Sequence, residues 1–224
     1  MKRKLRDNGL GIAFGLLFLG ALIGQAVAGH ADYNNQQIAD GAQTVSLFQY
    51  VTSSSFVADV AENWQSEYLQ FFLYIFATIW LVQRGSPESK LPAETGPESD
   101  EKQRVGRHAS ADSPGWARAV GWRLWMFSNS LCLAMGAIFL LSWLAQSVAG
   151  VVTYNADQLA NHEDTVTWFE YLGSADFWNR TLQNWQSEFL AVGSMVVLSI
   201  YLRQRGSPES KTVGTPHAKT DGQD

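Results

Sequence analysis

The 224-residue sequence matches itself at one offset without gaps: Trp64 falls on Trp185, and 185 − 64 = 121. At that offset Asn8 meets Asn129, Gln25 meets Gln146, Tyr33-Asn34 meets Tyr154-Asn155, and Thr44-Val45 meets Thr165-Val166. Phe48, Tyr50 and Phe56 then meet Phe169, Tyr171 and Phe177. Two blocks are identical: Asn63-Trp64-Gln65-Ser66-Glu67 with Asn184-Trp185-Gln186-Ser187-Glu188, and Arg84-Gly85-Ser86-Pro87-Glu88-Ser89-Lys90 with Arg205-Gly206-Ser207-Pro208-Glu209-Ser210-Lys211. Such a chain is expected to fold as two copies of one unit.

Each copy holds a long apolar block and then a short one, at 10–29 and 67–82, and again at 126–150 and 188–202. A hydrocarbon core of roughly 30 Å takes about 20 helical residues, so the short blocks must recruit flanking Trp, Gln and Asn or thin the bilayer locally. A buried helix of a soluble protein is the competing reading of a short block; the repeated long-then-short order favours hairpins of spans. Whole-chain totals of 46% hydrophobic residues and net charge -5 hide this alternation. Many aromatics stand at block edges, where amphipathic rings favour a membrane interface. The expectation is an all-α membrane protein of four transmembrane helices, built as two tandem two-helix repeats of the same orientation. The first repeat is 1–90, a flexible linker rich in Pro, Glu and Ser covers 91–115, the second repeat is 116–211, and a disordered tail covers 212–224.

Lysine and arginine set the orientation. Lys2, Arg3, Lys4 and Arg6 open the chain, and Arg84, Lys90, Arg118 and Arg123 lie near span ends. Residues 30–65 contain no Lys or Arg, and residues 151–187 contain only Arg180. By the positive-inside rule the N-terminus, linker and C-terminus face the cytoplasm of a bacterial cell with the protein in its inner membrane, and both long loops face outward. Copies inserted the same way up are parallel repeats. The basic start, the apolar stretch and Ala26-Val27-Ala28 also fit a cleavable signal peptide. The equivalent Gln146-Ser147-Val148-Ala149-Gly150 stands inside the chain, so the first block is expected to stay as a span.

Glu67, Gln70, Tyr74 and Thr78 form one helical stripe, and the second copy has Glu188, Ala191, Met195 and Ser199 in their places. If the helices begin at Asn63 and Asn184, these asparagines are N-caps and the acids complement the helix dipole. If they begin near Ser55 and Asp176, Glu67 and Glu188 lie near the membrane boundary as an ion or proton site. The loss of polarity at two levels of the second stripe favours interhelical hydrogen bonding over an ion path. Trp64 and Trp185 read as interface anchors, and Gln65 and Gln186 as bridges between helices. In the motif bounded by Arg84 and Lys90, and by Arg205 and Lys211, Gly85 and Gly206 fit left-handed caps and Pro87 and Pro208 stop a helix. Its identity in both copies points further, to docking of anionic lipid headgroups or a protein.

The one cysteine, Cys132, reads as a packing residue. His30, His108, His162 and His217 lack the spacing of a metal site. No phosphate loop, nucleophile elbow or paired Cys motif is present, which argues against an enzyme and against a cofactor. The acidic balance does not suggest nucleic acid, which calls for a basic face.

The Asn-Trp-Gln-Ser-Glu-Phe-Leu run ending at Leu190, its variant with Tyr68, the Tyr-Asn after each first span and Arg-Gln-Arg-Gly-Ser-Pro-Glu-Ser-Lys ending at Lys211 resemble an uncharacterised family of small bacterial membrane proteins, a domain of unknown function. The resemblance covers nearly the whole chain except linker and tail. The first copy departs from it at Val82, where the second has Arg203, and at Gly41, where the second has His162. It implies the architecture and supplies no activity. The expected role is therefore non-enzymatic, structural or interactive, with membrane lipid, an unidentified protein or a second copy as partner. The main alternative is a small channel or transporter using Glu67 and Glu188 near a pseudo-twofold axis.

Overall fold

The computed structural model describes residues 7–220. The basic cluster at 2–6 and the tail end at 221–224, both used above, lie outside these residues. Among the described residues the regular structure is entirely helical. Its α-helices are α1 (Gly9–Ala39), α2 (Leu47–Val51), α3 (Ser54–Ala77), α4 (Trp122–Ser128), α5 (Ser130–Ala160), α6 (Trp168–Leu172) and α7 (Ala175–Tyr201). Short 3-10 turns at Pro92–Glu94, Gly106–His108 and Gly115–Arg118 punctuate the segment between α3 and α4. The elements keep the sequence offset: α5, α6 and α7 begin 121 residues after α1, α2 and α3 (130 − 9 = 121).

α1 and α5 have 31 residues each, about 46 Å of helix at 1.5 Å per residue, more than a bilayer core requires. Their apolar side chains are open to the surroundings, with Leu10 76% and Leu17 66% exposed on α1 and Leu141 66% exposed on α5. An apolar surface of that extent marks a membrane or interaction face. Two helices, α1 and α5, are long and apolar enough to cross a membrane, not the four expected from sequence. The short blocks begin inside longer helices, the 67–82 block running past the end of α3 at Ala77, and these helices carry charge, Asp59, Glu62 and Glu67 on α3 and Asp176, Arg180 and Glu188 on α7.

α3 and α7 start early, as the second sequence reading has it. Asn63 and Asn184 therefore sit inside helices and cap nothing. The capping is done by Ser53 and Ser174, whose hydroxyls accept the amides of Phe56 at 3.3 Å and Phe177 at 3.2 Å.

The chain forms two compact units. In the first, residues 1–61 and 145–172, a two-point clamp explains the repeated Tyr-Asn. Asn34 Oδ1 accepts the Val45 amide at 2.8 Å and Asn34 Nδ2 donates to the Val45 carbonyl at 3.0 Å. Asn155 and Val166 make the same pair at 2.8 and 2.9 Å. Each clamp fastens the chain after a long helix back onto that helix. Beside it Tyr33 and Tyr50 rings lie 5.5 Å apart, and Tyr154 and Tyr171 rings 5.4 Å apart. Gly150 is needed here, because a Cβ would come within 2.6 Å of the Tyr171 hydroxyl, and Gly29 faces Tyr50 in the same way. Capping boxes open α2 (Ser46 with Gln49) and α6 (Thr167 with Glu170).

In the second unit, residues 62–144 and 173–224, Trp143 is the centre of an aromatic cluster, with Phe139, Phe177, Trp178 and Trp185 rings 5.7 to 6.0 Å away. α5 meets α3 closely at Gly136, where a Cβ would lie 3.1 Å from the Phe72 ring. Cys132 Sγ lies 4.0 Å from the Phe72 carbonyl, which suits a packing residue. Gly85 and Gly206 have the expected positive φ, 87° and 85°, but they turn loops several residues past Ala77 and Tyr201 instead of capping these helices. Residues 212–220, from the segment expected to be a disordered tail, return to Gly85, whose amide donates to Thr220 Oγ1 at 2.9 Å. Lys211, 4% exposed, helps hold this return by donating to the carbonyls of Pro216, His217 and Lys219.

Candidate functional site

The stripe picked out in the sequence lies where α3 and α7 meet in the second unit. The meeting begins at Glu62, whose carboxylate accepts from Arg180 at 3.0 Å and from Asn184 Nδ2 at 2.7 Å. One turn on, Gln65 is fully buried and its Oε1 accepts from Trp185 Nε1 at 2.7 Å. Among the described residues its Nε2 has no partner. Arg180 on α7 is thus held by Glu62, and Trp185 is a bridge between helices. Trp64 is 40% exposed, while Asn63 and Gln186 are exposed.

Glu67 and Glu188 come next and are within electrostatic reach of each other. Glu67 is exposed and Glu188 half-buried, and among the described residues neither has a hydrogen bond or ion pair. Beyond them opens a cavity of about 510 Å³, whose lining includes Gln70 and Tyr74 from α3, Thr78 just past its end, and Val192 and Met195 from α7. Glu67 and Glu188 do not line it. Glu88 and Glu209, the matched acids of the two repeated motifs, do line it. Tyr74 donates its hydroxyl to Glu88, and Glu209 lies beside Glu88. Hydrogen bonding and like charge from Glu88 hold the Glu209 carboxyl above its ordinary range.

The expected interhelical hydrogen bonding is therefore divided. Thr78 bonds the Ile75 carbonyl at 3.0 Å and Ser199 the Val196 carbonyl at 3.3 Å, each only three residues back along the chain. Gln70 keeps a buried Oε1 without a donor among the described residues. The helices are joined instead through Glu62 and Gln65.

The two motifs fold alike. Ser89 Oγ accepts the Gln83 amide at 2.8 Å, and Ser210 Oγ accepts the Gln204 amide at 2.8 Å. Ser86 and Ser207 hydroxyls accept the amides of Glu88 at 3.3 Å and Glu209 at 3.2 Å. Lys90, like Lys211, reaches back to the chain that follows, at the Gly96 carbonyl and Glu98. Arg84 and Arg205 remain exposed. Glu62, Glu88 and Glu209 were not singled out in the sequence. Their signal was present for the motif pair, because Glu88 and Glu209 fall on one another at the repeat offset.

Among the described residues no group of three His, Cys, Asp or Glu is placed to hold a metal ion. No curated protein and no solved structure matches the chain. A family model described as Domain of unknown function (DUF6766) matches residues 1–222.

Proposed function

The chain belongs to the DUF6766 family, and from that premise we propose that it is a non-enzymatic structural or interaction protein of the bacterial inner membrane. In this reading all four long helices span. α3 and α7 cross with their apolar second halves, and both termini face the cytoplasm. The polar first halves of α3 and α7 are tolerable near the interface because they pair with each other, and polar side chains between membrane helices act as helix glue. The partners are membrane lipid, an unidentified protein or a second copy. Arg84 and Arg205 are the exposed cations offered to anionic headgroups on the cytoplasmic side.

The observation that carries this reading is the hydrogen bonding of α3 to α7 through Glu62 and Gln65. Such bonds fix two helices against each other and provide no path between them. Transport through Glu67 and Glu188 is the second reading, and the nearby cavity is what favours it. The wild type and the double variant Glu67→Gln with Glu188→Gln should be reconstituted in liposomes and assayed for pH-dependent ion flux. The proposal expects both to match empty liposomes. Flux present in the wild type and lost in a stably folded double variant would establish transport and remove the proposal.

A further inference from the structure

The cavity between α3 and α7 carries more than a packing role. Its volume, about 510 Å³, falls within the range of small-molecule sites and far exceeds what a bare ion needs. One wall is apolar, formed by Phe71, Ile75, Val192, Met195 and Val196.

The polar groups at its edge all ask for the same thing. Glu88 and Glu209 are acceptors, and among the described residues no lysine or arginine is paired with either. Gln70 presents a buried Oε1 that no donor among the described residues reaches. Tyr74 has committed its proton to Glu88, so only its lone pairs remain. Four acceptor groups, two of them carboxylates, surround a space with no cation in its lining. A ligand that satisfies them brings several N–H donors and one positive charge at one end, and an apolar body at the other.

We propose that this cavity is a binding site for an amphipathic primary amine, its ammonium between Glu88 and Glu209 and its single apolar chain against the Ile75 and Val192 wall. A quaternary ammonium is disfavoured, since it offers no N–H and is recognised by aromatic cages. A phosphatidylethanolamine headgroup is disfavoured too, because its phosphate would face the same two carboxylates. The site does not depend on the role proposed for Glu62 and Gln65, and neither residue lines it.

The test uses the full chain in phosphatidylcholine nanodiscs, titrated calorimetrically with dodecylammonium, dodecyltrimethylammonium and dodecanol. Saturable binding of dodecylammonium is expected, with the other two weaker by about tenfold or more. The double variant Glu88→Gln with Glu209→Gln should lose a similar factor. Because that variant removes the bond to Tyr74, Met195→Trp provides a second check by filling the cavity while leaving the acids untouched. It too should abolish binding with its melting temperature retained. Equal affinity for dodecanol or the trimethyl compound would overturn the proposal. So would undiminished binding by either variant in folded form. Displacement of the amine by phosphatidylethanolamine added to the nanodisc would reassign the site to a lipid headgroup.

Discussion

Gln146 is the plainest case of a residue whose cost the fold carries without visible return. It is 1% exposed, and among the described residues neither its Nε2 nor its Oε1 has a partner. A buried amide left unbonded costs about 1–3 kcal/mol. Gln146→Leu should therefore raise the thermal unfolding temperature in detergent, and a fall of several degrees would show that the amide is satisfied by water or a partner. Glu170 offers a second test at this scale. The Thr167 amide and hydroxyl hold its carboxyl below the ordinary value of 4.5. A depressed acid contributes stability above its unfolded pKa and loses it as pH falls through the folded one. The α6 capping box should thus weaken below about pH 4.5, while the α2 box, built on Gln49, should not. Following the Thr167 and Ser46 amide resonances from pH 6 to 3 checks this: the first should shift with the titration of Glu170 and the second should stay. A Ser46 shift of equal size would refute the assignment.

At the scale of elements, the early starts of α3 and α7 were legible in the sequence, because Phe56, Val60 and Trp64 continue one helical face ahead of the apolar block. The division of labour along the stripe was not. A wheel places Thr78 and Ser199 on the face but cannot say that each hydroxyl turns to a carbonyl three residues back. Nor does hydropathy announce that Glu62 will meet Arg180, 118 positions away. The glycines of the repeated motif were read correctly for conformation and incorrectly for place. Gly85 combines positive φ with the His217 carbonyl against its Cα, whereas Gly206 has positive φ and open space. Both Gly→Ala changes incur a left-handed penalty of about 1–2 kcal/mol. Only Gly85→Ala should also release the 212–220 return, seen as faster trypsin cleavage after Lys219; equal cleavage in both variants would sink that contact. Helix pairing has its own test. A double-mutant cycle on Gln65→Leu and Trp185→Phe should give a coupling of about 0.6–1.7 kcal/mol, the range for hydrogen bonds between membrane helices. A coupling near zero would mean the bond holds nothing.

For the molecule as a whole, the offset of 121 is the strongest single piece of information in the sequence, and the element starts keep it. What the sequence reading overestimated was the apolar content of the second helix in each pair. In the four-span reading Glu62, Gln65 and their neighbours are tolerable through pairing, and a helix carrying such groups does not pass for a span by composition. Two spans or four is therefore the central question, and cysteine accessibility answers it. In a Cys132→Ser background, single cysteines at Asn35, Ser99 and Asn161 should be probed in intact cells with an impermeant thiol reagent. Four spans in two same-way hairpins predict labelling at Asn35 and Asn161 and none at Ser99. Labelling at Asn35 and Ser99 without Asn161 would mean that only α1 and α5 cross, and would contradict the account.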